Sequence, residues 1–163
     1  MPLLQPGDLF PQLTINVLGG GTLTVPDSLA GEFATVLFYR GAWCPYCNAQ
    51  LSAFQRADRA LAGAGIRVAA LSVDDEATTA ELAARRNLSF PLGYGADAPA
   101  VAALTGAFVN PDPVYLQSTG FVLDPAGHVV VSVYSSGAIG RLSPEDVIGL
   151  VRYRREHSSA ATA

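Results

Sequence analysis

The chain has no lysine, one tryptophan, one methionine, two histidines and only two cysteines among 163 residues. So few cysteines exclude a disulfide-rich scaffold. With half of the residues hydrophobic, one domain of this length buries a sufficient core without covalent help. No stretch approaches the roughly 18 consecutive apolar residues that a membrane-spanning helix needs. The opening "MPLLQPGDLFPQLTI" has neither a basic start nor a continuous apolar run, so a cytoplasmic protein with no membrane partner is expected. A net charge of −4 argues against a general nucleic-acid surface, which depends on clustered cations. All ten basic side chains are arginine, which together with the many alanines and glycines reads as compositional bias and carries no function.

What is present reads as one domain over 1–157, followed by a disordered tail, "SSAATA", over 158–163. Residues 12–25 alternate apolar and polar on either side of Gly19-Gly20-Gly21, the pattern of a hairpin. The glycines lack the Lys-Ser/Thr that a phosphate loop carries, so turn chemistry accounts for them. "ATVLFYR" (34–40) reads as a buried strand, and 49–63 places Leu51, Phe54, Ala57 and Leu61 at helical spacing. "IRVAALSV" (66–73) is a second central strand. Asp74 or Asp75 caps a helix over 76–86 that Asn87 ends. These elements form a βαβ unit with parallel strands. One short helix is expected near 98–104, then an antiparallel hairpin across Pro125-Ala126-Gly127, then a helix over 144–156 opened by Ser143-Pro144-Glu145-Asp146. The order implies an α/β, thioredoxin-like fold: three layers, α/β/α, with a mixed central sheet and an added N-terminal β-hairpin.

Both cysteines lie in "YRGAWCPYC", between the first central strand and its helix. A loop as short as Cys44-x-x-Cys47 restricts the unfolded chain little, so stabilisation is a poor reason for the pair. Zinc or an iron–sulfur cluster would need further ligands, and neither His128, in a turn, nor His157, near the end, has the spacing to supply them. No metal is expected. A Cys-x-x-Cys between a strand and a helix is a redox signal. With Pro45 at the first helical position, Cys44 falls at the N-cap, where free N–H groups and the helix dipole favour thiolate. Cys47 follows one turn later, within disulfide reach. Around them, Arg40 adds positive potential or is a solvated strand-end charge. Trp43 and Tyr46 form an apolar rim for a partner or simply pack.

"PGDLFPQLTI", "TVLFYRGAWCPYCNAQLSAFQ" and "GFVLDPAGHVV" together resemble the alkyl hydroperoxide reductase/thiol-specific antioxidant (peroxiredoxin) superfamily, and within it the peroxiredoxin-like proteins with a thioredoxin-type Cys-x-x-Cys. The resemblance covers nearly the whole chain and implies a thioredoxin fold, thiol-dependent redox chemistry and no cofactor. It also exposes departures. The family's Pro-x-x-x-Thr-x-x-Cys sets Arg40 at the proline, Cys44 at the threonine and Cys47 at the peroxide-reacting cysteine. The family's activating arginine, just before the late strand, is replaced here by Gln117, Ser118 and Thr119. The cis-proline that faces the disulfide in thioredoxins is missing from the same loop, where Ser118 or Thr119 is expected to approach the cysteines. Thioredoxin logic names the exposed Cys44 as the attacking sulfur, and peroxiredoxin logic names Cys47.

Three functions remain open at this level. The first is a thiol–disulfide oxidoreductase in which Cys44 attacks the disulfide of a protein partner and Cys47 resolves. The second is a thiol peroxidase acting on hydrogen peroxide or organic hydroperoxides, where the order reverses: Cys47 attacks and, through a sulfenic acid, closes the same disulfide with Cys44. Either needs an external thiol reductant, such as a thioredoxin system. The third is a redox-sensing interaction protein without turnover.

Overall fold

The computed structural model describes residues 3–162, with 158–162 described by backbone alone. Hydrophobic alternation decides the centre of the sheet. In β3 (Phe33–Phe38) every residue is buried, because side chains alternate between two covered faces. Ala34, Val36 and Phe38 enter one apolar cluster, while Phe33 and Leu37 enter the other. β4 (Ile66–Leu71) pairs parallel to β3, and β8 (Thr119–Leu123) pairs antiparallel on its other side. With β1 (Leu13–Val17), β2 (Thr22–Val25), β5 (Leu92–Tyr94) and β9 (Val129–Tyr134), the order is β2-β1-β5-β4-β3-β8-β9. The expected N-terminal hairpin is therefore the outer margin of the main sheet, joined through antiparallel pairing of β1 with β5.

Helices cover both faces. Leu51 and Phe54 of α1 (Pro45–Arg56), Leu61 of α2 (Asp58–Gly63), Leu82 of α3 (Glu76–Arg86) and Val147 and Val151 of α5 (Pro144–Thr162) fill one cluster. Ala98 and Val101 of α4 (Ala98–Thr105) join the opposite one. The result is the three-layer, mixed-sheet, thioredoxin-like arrangement expected from the element order.

Several local signals hold. Asp75 caps α3 by accepting from Thr78 N–H at 2.8 Å, and Asn87 ends it in the left-handed conformation at φ 53°. Ser143 Oγ accepts from Asp146 N–H at the start of α5. The first helix starts at Pro45, as expected, but the helical spacing over 49–63 is broken at Ala57 into α1 and α2, which leaves Leu61 in the same cluster as Leu51 and Phe54. The expected disordered tail, 158–163, falls on residues whose side chains lie outside those described.

Two features were not foreseen. β5 is three residues long with a glycine at its centre. A Cβ on Gly93 would lie 2.8 Å from Ile15 Cγ1 and 3.0 Å from Leu71 Cβ, so the residue that disguises the strand also lets its neighbours close over it. The second is a separate two-stranded sheet of β6 (Val109–Pro111) and β7 (Val114–Leu116), whose Tyr115 reaches the cysteine loop.

The ring of Phe121 is the hub of the cluster under β8, meeting Phe10, Phe38 and Tyr134 edge-on at 5.0, 5.6 and 5.6 Å. Phe121→Ala is expected to lower unfolding free energy by about 3–5 kcal/mol. Urea denaturation measures this, and a loss under about 1 kcal/mol would contradict the packing described.

Candidate active site

Cys44 is the N-cap of α1, with φ −88° and ψ 113°, and Pro45 occupies the next position. Proline has no N–H to leave unsatisfied there. The Cys44 sulfur accepts from the Cys47 N–H at 3.3 Å. The Cys47 sulfur in turn accepts from the Arg40 N–H, also at 3.3 Å. Both thiols are free. The loop carrying them is clamped at one peptide plane on each side of Ala42: Asp74 Oδ2 accepts from Ala42 N–H at 2.8 Å, and Asn48 Nδ2 donates to Ala42 C=O at 2.9 Å. Asp74 therefore serves the cysteine loop, while its neighbour Asp75 caps the helix.

Two guanidinium groups close over the sulfurs. Arg40 places Nη1 3.8 Å from Cys44 Sγ, while its Nε donates to Gln117 Oε1 at 3.0 Å and its Nη2 to the Tyr115 hydroxyl at 2.9 Å. Arg141 arrives from the loop between β9 and α5. Its Nη2 lies 3.0 Å from Cys47 Sγ and 3.8 Å from Cys44 Sγ, its Nη1 donates to Gln50 Oε1 at 2.8 Å, and its Nε to Ala138 C=O at 2.7 Å. Gln50 also donates to Leu142 C=O, tying this loop to α1.

The expected exposure of Cys44 is corrected here: both cysteines are 0% exposed. The reason is tertiary. A helix N-terminus alone faces solvent, but here Arg40 and Arg141 fold across it from two directions. The Trp43 indole packs edge-on against Tyr115 at 5.0 Å, with the Arg40 guanidinium 5.0 Å from one ring and 5.2 Å from the other. Such cation–π contacts fix a guanidinium without neutralising it.

Electrostatics separate the two thiols. Burial pushes Cys44 up, but hydrogen bonds from the Cys47 thiol, the Cys47 N–H and Arg40, with the charge of Arg141, more than offset it and hold Cys44 below the ordinary thiol value. Cys47 goes the other way. Burial and its hydrogen bond to Cys44 raise it, and the Arg40 N–H and Arg141 recover only part. Of the two thiols, Cys44 is therefore the more readily ionised.

Of the other side chains singled out from sequence, Trp43 and Tyr46 are more than half exposed, and Trp43 packs on Tyr115 and Arg40. Tyr46 also borders a groove of about 330 Å³ that Arg141, Leu142 and Pro144 line. Ser118 and Thr119 are buried, and neither is hydrogen-bonded to a sulfur; Thr119 bonds back to Gln117 C=O. Their segment meets the site through Gln117 instead. Arg141, Gln50 and Tyr115 went unnoticed in the sequence, since nothing local marks residues that arrive from distant loops. His128 lies in the β8–β9 turn, and no group of three or more His, Cys, Asp or Glu that could hold a metal ion occurs among the described residues. No described helix is long and apolar enough to cross a membrane.

Known proteins share this fold. The sequence pattern of the AhpC/TSA family matches residues 6–132. A peroxiredoxin of Methanothermobacter thermautotrophicus is 25% identical over 156 residues, covering 93% of this chain and 73% of that protein. Among solved structures, Mycobacterium tuberculosis AhpC superposes with a TM-score of 0.78 at 21% identity, covering 94% of each chain. Enterococcus faecalis AhpC gives 0.80 at 16% identity, covering 96% of this chain and 97% of that one. With the family's pattern running from before β1 through both thiols and into β9, the chain belongs to the AhpC/TSA family and is a thiol-dependent oxidoreductase.

Proposed function

We propose that the protein is a thiol peroxidase in which Cys44 reduces a hydroperoxide and Cys47 resolves the product as a Cys44–Cys47 disulfide. The observation that carries this is the cover: both sulfurs are fully buried beneath two guanidiniums. Neither sulfur shows surface even to a water-sized molecule, so a hydroperoxide enters by displacing the partly exposed side chains of Arg40 and Arg141, a shift too small to admit the disulfide of a folded protein. The burial therefore weighs against direct attack on protein disulfides, the other activity that the cysteine spacing suggests.

In the first step the Cys44 thiolate attacks one oxygen of ROOH and the O–O bond breaks. The departing RO⁻ takes a proton to become ROH, and Cys44 is left as a sulfenic acid. The N–H groups of Arg40 and Arg141 stabilise charge developing on the oxygens, where a fixed donor in a dry site acts strongly. In the second step Cys47 gives up its proton and attacks the Cys44 sulfur. The S–S bond forms, and hydroxide leaves as water. Two electrons have passed from the thiols to the peroxide. The oxidised pair carries no negative charge to hold Arg40 and Arg141 across it, so the guanidiniums swing away and an external dithiol of the thioredoxin type reduces the uncovered disulfide by exchange. The threonine hydroxyl of the family's pattern has become a thiol at Cys44, so one side chain occupies the place of a peroxide-holding group and also reacts.

Sulfenic acid trapping with a dimedone probe decides the order of attack. Cys47→Ser exposed to one equivalent of hydrogen peroxide is expected to carry the adduct on Cys44, and Cys44→Ser to react no faster than a free thiol. An adduct on Cys47 of Cys44→Ser, formed at the wild-type rate, would give the attack to Cys47, and sustained turnover by both single variants would remove the disulfide from the cycle.

The rate of peroxide reduction should fall as pH drops through the lowered value of Cys44, because protonation removes the nucleophile. Arg141→Met deletes a positive charge from beside the thiolate, so the rising limb should move to higher pH and the plateau rate should drop by roughly 10²-fold. Stopped-flow measurement of peroxide consumption between pH 4 and 9 checks both, and an unshifted limb would remove Arg141 from the activation of the thiol.

A further inference from the structure

Oxidation leaves two positive charges at the site without an anion to face. In the reduced protein Arg40 Nη1 lies 3.8 Å from Cys44 Sγ, and Arg141 Nη2 lies 3.0 Å from Cys47 Sγ and 3.8 Å from Cys44 Sγ. Closing the Cys44–Cys47 bond removes the charge that a thiolate offers them. Their other partners are the Tyr115 hydroxyl, the carboxamides of Gln117 and Gln50 and the Ala138 carbonyl, none of them a carboxylate. Among the described residues, no carboxylate forms an ion pair with either arginine. Asp74 is turned onto the Ala42 N–H, and Glu145 borders the same groove as Arg141 without pairing to it.

We infer that the oxidised site selects its reductant by charge: the thiol that reopens the Cys44–Cys47 disulfide carries a negative group beside its attacking sulfur, and Arg40 and Arg141 attract it. This narrows the external dithiol of the peroxidase cycle, on which the inference rests, to one with an acidic group next to its cysteine. The attraction is local. The chain as a whole carries a net charge of −4, which opposes an approaching anion, so a preference for negative charge has to come from these two side chains. Both are partly exposed, and Trp43, Tyr46 and Ile139, on the segments that carry the thiols and Arg141, are more than half exposed apolar surface for the rest of the partner. In the exchange itself one thiolate attacks a sulfur of the pair, the S–S bond breaks and the other cysteine leaves as thiolate. A second thiolate attacks the outer sulfur of the mixed disulfide and frees the first cysteine. Two thiols have become one external disulfide, and their protons pass to the cysteines or to water.

Three small thiols of different charge test this on protein oxidised with diamide, without peroxide: 2-mercaptoethanesulfonate, 2-mercaptoethanol and cysteamine. Reopening is followed by acid quenching and alkylation of the freed cysteines. Each rate is expressed per thiolate and divided by the rate of the same thiol on a neutral small disulfide, which cancels intrinsic reactivity. The anionic thiol is expected to react roughly 10-fold faster than the cationic one at low ionic strength, with the ratio shrinking as salt is added. Arg40→Met and Arg141→Met are each expected to lower the ratio to about 3, and the double variant to about 1 or below. Arg40→Lys and Arg141→Lys keep the charge and are expected to keep the ratio near that of the wild type, which a purely structural role for the arginines would not predict. They also decide the matter should a methionine variant fail to fold by circular dichroism. A wild-type ratio near 1, or a ratio unchanged in the folded methionine variants, would overturn the selection by charge, as would failure of diamide to form the disulfide. If the ratios behave as expected and peroxide turnover is absent, the peroxidase mechanism fails while the charge preference stands.

Discussion

Everything at the site depends on donors converging on sulfur. The N-cap position gives Cys44 the Cys47 N–H, and the loop before it turns the Arg40 N–H onto Cys47. A thiolate in a dry interior would be costly if these were its only partners. The two guanidiniums add positive charge to the hydrogen bonds that Cys47 makes, and together these offset burial at Cys44. The sheet places these groups. β3 ends at the loop bearing Arg40 and the thiols, β7 and the link beyond it bring Tyr115 and Gln117, and the segment after β9 delivers Arg141.

Local chemistry was legible in the sequence. Cys-Pro-x-Cys after a buried strand fixes an N-cap, a first-turn proline and a second sulfur one turn on, because these relations span only a few residues. The same holds for Asp75 and Asn87 at the ends of α3 and for Ser143 at the start of α5. Contacts across tens of residues were not legible. Arg141 sits 97 positions from Cys44 and Tyr115 sits 75 from Arg40, and a single arginine in "AIGRLSP" carries no mark of its destination. The family pattern places an activating arginine in the segment before β8. That segment supplies a glutamine instead, and the arginine comes from the far end of the following hairpin.

The mistaken exposure of Cys44 has the same origin. Helix geometry predicts an open sulfur at a free N-terminus, and only the tertiary arrangement shows that side chains from two other segments lie across it. Short β5 escaped notice for a related reason, since Gly93 weakens the strand signal yet is demanded by Ile15 and Leu71 on either side. In both places the local rule was sound, and a neighbour distant in sequence changed its consequence.

Gly41 has no side chain, and a Cβ there would fall 2.2 Å from the Trp43 indole nitrogen. That bare backbone is the seat on which the ring lies, next to Tyr115 and Arg40. Because no other indole occurs in the chain, emission excited in the indole band beyond tyrosine absorption comes from the neighbourhood of the cysteine loop. Any rearrangement of that neighbourhood would therefore be readable in real time without a label.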